Sequence, residues 1–87
     1  MKLTVHTIIS VCCEDDEATE MDVLGTFIDE NKARECFEET KQEYQEIAEY
    51  NDFEIYSDDE YYFEAGEDGN FNNNFVMLYW NSEEFEI

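Results

Sequence analysis

Basic residues are the scarcest class in this chain of 87. Four of them, Lys2, Lys32, Arg34 and Lys41, stand against 25 acids, for a formal charge of −21. From Gln42 to Ile87 there are 14 acids and no base, so the second half carries −14; the first, with 11 acids less 4 bases, carries −7. The shortage excludes direct binding to DNA or RNA, whose phosphates need a basic patch. An anionic membrane would repel the chain as well. Long hydrophobic runs are missing too: no stretch approaches the roughly 20 apolar residues of a transmembrane helix. The N-terminal MKLTVHTIISVCC is interrupted by Thr, His and Ser, and lacks the clean apolar core and cleavage site of a signal peptide. Cysteine is limited to Cys12, Cys13 and Cys36. The count is odd and two are adjacent, on opposite faces of any strand, so neither a disulfide framework nor a zinc spacing can be built. Inert thiols in a reducing cytoplasm are the expectation.

Catalytic chemistry is equally short of parts. His6 is the sole histidine and falls in a strand pattern, which favours a structural residue over a general base. Cys12 and Cys13 have no basic neighbourhood to lower a thiol pKa. The carboxylate clusters EDDE (14 to 17) and SDDE (57 to 60) would attract divalent cations loosely. Neither has the alternating acids, central Gly and closing Glu of an EF-hand loop. No enzyme, cofactor or dedicated metal site is expected.

Aromatic residues, in contrast, make up 16% of the chain, which acidic disordered tails lack. The segment DFEIYSDDEYYFEAGEDG (52 to 69) mixes them with eight acids. Eighty-seven residues make one small domain, 1 to 87, of marginal stability, and no repeat or linker interrupts it. From Leu3 to Cys13 apolar residues alternate, with Leu3, Val5, Thr7, Ile9, Val11 and Cys13 on one face and Thr4, His6, Ile8, Ser10 and Cys12 on the other. Period two with β-branched residues predicts a strand. A second strand follows from Glu20 to Phe27, with Met21, Val23, Gly25 and Phe27 on one face, joined to the first as a hairpin. Asp29 then caps a helix that runs to about Tyr50, where Asn51 stops it. Ala33, Cys36, Phe37, Thr40, Tyr44, Ile47 and Ala48 form its apolar stripe, which must lie on the sheet. FEIYS (53 to 57) is a third strand, and DEYYFEA (59 to 65) either continues it or forms a separate one. GEDGN (66 to 70) reads as a hairpin turn, NFVMLYW (74 to 80) as an apolar strand and NSEEFEI as a trailing edge. The predicted fold is α+β: a single antiparallel sheet of four or five strands, order β-β-α-β-β, with one helix on one face.

Local rules are broken in one respect, the electrostatics, and such conflicts tend to mark function. Glu43, Glu46 and Glu49 crowd the C-terminal turns of the helix, where the dipole favours cations. Glu35, Glu39, Glu43, Glu46 and Glu49 line the face away from the apolar stripe, with axial rises of about 6 Å or 4.5 Å between neighbours. Asp58, Asp59, Glu60, Glu64, Glu67 and Asp68 add charge around one hairpin. Aromatics would hold the sheet while acids coat its outer face and turn. A solubility role explains a net charge of only about 2 to 8 in magnitude.

Tiny, proline-free and strongly acidic, the chain resembles in type the anti-defence proteins of phages and mobile elements, which include DNA-mimic anti-CRISPR and anti-restriction proteins. LGTFIDENKARECFEE and FEAGEDGNFNNNFVMLYW are similar to the helix start and closing hairpin of small phage-encoded proteins. No motif carries over residue by residue. The resemblance implies a cytoplasmic, non-enzymatic inhibitor that blocks the basic nucleic-acid site of a Cas effector or restriction enzyme. Glu39, Glu43, Glu46, Glu49, Asp58, Asp59, Glu60, Glu64, Glu67 and Asp68 are the expected phosphate substitutes. The competing expectation is a small interaction or regulatory domain, acidic for solubility, that binds through the sheet face the helix leaves uncovered. Tyr61, Tyr62, Tyr79 and Trp80 could anchor such a contact, or a homodimer whose acids lie outside it.

Overall fold

Period-two alternation and β-branched residues make Lys2–Cys13 a strand, and it pairs along its whole length with the C-terminal strand. The structure, a computed structural model, describes residues 1–13, 20–67 and 74–87. Its elements are β1 (Lys2–Cys13), β2 (Glu20–Phe27), α1 (Glu30–Tyr50), β3 (Glu54–Asp58), β4 (Tyr62–Gly66) and β5 (Phe75–Glu86). They form one antiparallel sheet in the order β2-β1-β5-β4-β3, with α1 on one face. The α+β expectation holds, with DEYYFEA supplying a separate fifth strand. Both EDDE (14 to 17) and most of the GEDGN turn, Asp68 included, lie outside the described residues.

NSEEFEI is an edge on one side, since β4 pairs with β5 only as far as Tyr79, but it does not trail off. It continues β5 in register with β1, from Asn81 opposite Thr7 to Glu86 opposite Lys2. The chain ends meet there, Ile87 N–H donating to the Met1 carbonyl at 2.8 Å. Glu83, Glu84 and Glu86 are tolerated in this strand because their side chains are exposed while the backbone is paired. The result is a long slab, 46 × 22 × 17 Å.

The helix is built by its ends and its stripe. Asp29 Oδ1 accepts from the amides of Asn31 (2.8 Å) and Lys32 (3.4 Å), which satisfies two first-turn donors. At the other end Asn51 Nδ2 donates to the Ile47 carbonyl at 2.9 Å. The chain then leaves through Asp52, at φ 57°. Asp52 N–H reaches the Glu49 carbonyl and Phe53 N–H the Ala48 carbonyl, at 3.3 and 2.8 Å, which is the Schellman pattern with Asp where Gly is usual. Ala33, Phe37 and Ala48 are buried against the sheet. Ile47 is not part of this stripe: about 100° round the helix from Ala48, it is 38% exposed.

Under the helix lie Ile8, Phe63, Ala65, Val76, Leu78 and Trp80. Phe37, Phe63, Ile8 and Leu78 are the largest side chains buried completely. Trp80 is therefore core rather than surface. Its Nε1–H donates to His6 Nδ1 at 3.0 Å, and the Ser82 hydroxyl sits 2.9 Å from the same nitrogen. Accepting from Trp80 leaves the imidazole its proton on Nε2, so His6 serves as a buried hydrogen-bond partner.

Two strands depart from simple alternation, β3 with an extra residue at Tyr56 and β2 at Leu24. The β1–β2 register runs Ile8 opposite Gly25, then Ile9 opposite Val23, so Leu24 is an extra residue. A bulge of this kind moves the following side chains to the other face. Gly25 and Phe27 thus share the face of Ile8, while Met21 and Val23 share the face of Ile9 and Val11. A Cβ on Gly25 would lie 2.6 Å from the Phe27 ring, so the glycine makes room for it.

Candidate functional site

The helix turns its outer side to solvent with a set of five acids. At 100° per residue, Glu35, Glu39, Glu43, Glu46 and Glu49 fall opposite the buried line of Phe37, Tyr44 and Ala48, and all five are exposed. From first to last the row rises about 21 Å along the axis. The last turn contains no basic residue. Two of the three cations on the helix point away from the row; the third, Lys32, is exposed one turn before Glu35 on the same side. The Arg34 guanidinium lies over the Trp80 ring, 4.8 Å from its centroid. Lys41, whose side chain is 13% exposed, pairs with Asp58 and donates to the Asp59 carbonyl at 3.0 Å. Both could have neutralised the row, and both are engaged at the sheet.

Beside the row runs an open groove of ≈ 450 Å³, lined by Glu38, Glu39, Lys41, Gln42, Gln45 and Asp58. Asp58 is its far wall, held by Lys41 and by Gln45 Nε2 at 3.2 Å. This clip fixes the β3–β4 hairpin against the helix. The turn is closed by Asp59, which accepts from Tyr61 N–H at 2.8 Å through its carboxylate.

The expected phosphate substitutes therefore separate into groups. Glu39, Glu43, Glu46 and Glu49 stand together on the helix. Asp58, Asp59 and Glu60 flank them at the adjoining turn, with Asp58 committed to Lys41. Glu64 lies on the other face of the sheet, opposite Met77 and Ser57. Glu67 closes the base of the last hairpin, accepting from Asn74 Nδ2 at 2.7 Å. Asp68 is outside the described residues. Glu38 was missed: the 100° step that placed Glu35 and Glu39 also puts it on the groove side of the row.

The opposite face of the sheet is uncovered and different in kind. Successive rows across β2, β1 and β5 read Met21, Val11, Met77 and then Val23, Ile9, Tyr79. Met21 and Val23 are 67% and 63% exposed. Tyr79 stacks on Tyr62 of β4, ring centroids 6.4 Å apart. Burial, and then the charge of Glu64, push the Tyr62 hydroxyl above its ordinary pKa. Among the described residues, carboxylates reach this face only around those rows: Glu64 on β4, Glu54 on β3 and Glu83 on the far part of β5.

Thiol and phenol groups near the helix are poor nucleophiles. Burial, with help from Glu39, pushes the Cys36 thiol up against the opposing Thr40 hydrogen bond. Tyr44 is pushed to about 12, chiefly by burial. It shares a hydrogen bond with Cys12 Sγ at 3.6 Å. Among the described residues no group of three or more His, Cys, Asp or Glu is placed to hold a metal ion. Nor, among the described residues, is any helix long and apolar enough to cross a membrane. Comparison with family models, with curated proteins and with solved structures finds no match to this chain.

Proposed function

We propose that this chain is a non-enzymatic, protein-binding inhibitor that carries carboxylates in place of phosphates. It occupies the basic DNA or RNA site of a nuclease such as a CRISPR-Cas effector or a restriction enzyme. One observation carries this reading: within the exposed row, Glu39, Glu43, Glu46 and Glu49 have no cation beside them, because Arg34 and Lys41 are drawn to the sheet and Lys32 stands only at the Glu35 end. Holding like charges along one rigid edge works against folding, and a basic channel would relieve it. A helix also fixes the charges in space, which a disordered acidic tail does not. Attraction to such a channel is long-range, fast and weakened by salt.

The test is charge reversal on the row. Glu39→Lys, Glu43→Lys and Glu46→Lys together should abolish inhibition of the target nuclease and leave the fold intact or more stable. Unchanged inhibition by the triple variant would sink the proposal.

The uncovered sheet face favours a second reading, a small interaction or regulatory domain that binds a protein through apolar contacts, with the acids serving solubility. Salt separates the two. A phosphate mimic loses affinity steeply as ionic strength rises; an apolar sheet contact does not.

A further inference from the structure

We infer that the uncovered sheet face is a self-association surface, joining two copies of this chain face to face as helix–sheet–sheet–helix. The inference stands on the sheet alone and is independent of phosphate mimicry.

A strand that is apolar on both faces must bury both, and α1 covers one. On the open face Ile9, Val11, Met21, Val23, Met77 and Tyr79 form two adjacent rows with no charge among them. The uncharged part of that open side, from Thr7 to Cys13 along β1, has a flat footprint on the order of 350 Å² before side-chain relief is counted. That is about half of the ~800 Å² of accessible surface each partner gives to a standard interface, which places the contact at the small, weak end of the range.

The distribution of charge points to a second copy. A chain of −21 can meet itself only where its acids are not. On this face Glu54 and Glu64 lie to one side of the apolar rows and Glu83 lies toward the chain ends, while the helix row is on the opposite side of the molecule. A twofold axis through the Ile9 region would lay apolar rows on apolar rows and leave carboxylates at the rim, as in other isologous interfaces. Facing twisted sheets pack about 10 Å apart in this way. The remaining repulsion between the two copies is the part that salt screens. Self-association should therefore strengthen with salt, opposite to the behaviour of a phosphate mimic on its target.

Sedimentation velocity of the full chain, from micromolar to millimolar at low and high NaCl, tests this. The expected result is a monomer–dimer equilibrium whose association tightens with salt. Val23→Lys and Met21→Lys, both on exposed positions of the edge strand, should each weaken it at least tenfold, with far-ultraviolet dichroism and Trp80 fluorescence unchanged. Glu43→Lys, on the helix, should leave it as strong or stronger. A monomer at every concentration and salt overturns the inference, as does a dimer indifferent to both β2 substitutions. Should a variant fail to fold, the wild-type concentration series decides alone.

Discussion

The two broad faces of this sheet share one backbone and have opposite characters. Beneath the helix, β1 contributes His6, Ser10 and Cys12 beside Ile8, a mixed set. Away from it, β1 contributes Val5, Ile9 and Val11, a more apolar set left half-buried. The core nevertheless forms on the mixed side, because Phe63, Ala65, Val76, Leu78 and Trp80 of β4 and β5 point there and α1 closes over them. The position of a core is thus decided by what can be covered, not by the most apolar face of a single strand. An apolar face without a cover is then information about a missing layer. The acids divide along the same line: a dense row on the outer side of the helix, and only a border on the open sheet face.

Substitutions should break this contrast in order of depth. The largest effect belongs to the covered face. Phe37→Ala should destabilise by about 3 to 5 kcal/mol, enough to leave so small a domain largely unfolded in a urea or thermal melt. Val23→Ala on the open face should stay within about 0.5 kcal/mol for the isolated chain. Equal losses at the two sites would erase the distinction.

Next come two changes at the end of the helix. Asp52→Gly relieves a non-glycine residue at φ 57°. It should stabilise by about 1 kcal/mol, read as a rise in the urea midpoint without a change in slope. Glu49→Lys places a cation at the negative end of the dipole. It should add about 0.3 to 1 kcal/mol at low salt, a gain that shrinks as salt is raised. A Glu49→Lys gain indifferent to salt would show that the helix row is not under electrostatic strain.

The last effect, silent at neutral pH, is a pH dependence under the covered face. Tyr44 has its pKa raised to about 12, mainly by burial, against about 10 for the unfolded chain. The folded state therefore holds the phenolic proton more tightly. This contribution to stability is fully present below about pH 10 and is lost as pH rises toward about 12. Tyr44→Phe should flatten the alkaline limb of a stability–pH profile in that window.

Much of this arrangement was legible in the residues. Alternation placed β1 and β2, and Asp29 and Asn51 bounded the helix at the positions observed, because capping is local chemistry. The row of five glutamates followed from the helical repeat alone. What could not be read depended on neighbours. The bulge at Leu24 reverses the faces of Met21 and Val23, and nothing within EMDVLGTF distinguishes it from plain alternation. NSEEFEI looks like a tail because its charges conceal a backbone pairing set by β1. Asp58 counted as one more acid in the sequence, yet Lys41 and Gln45, 17 and 13 residues away, claim its carboxylate. Glu64 sits among acids in the chain and among Tyr62 and Met77 in space.

The central claim is that the acids on the helix face act as phosphates toward a basic site. The most direct test is capture from host lysate with the tagged protein across a salt series, with duplex DNA as competitor and the Glu39→Lys, Glu43→Lys, Glu46→Lys variant as control. The account predicts recovery of a nucleic-acid enzyme that is lost at high salt, lost on adding DNA and absent with the variant. A partner retained through all three, or no partner beyond the protein itself, would contradict it.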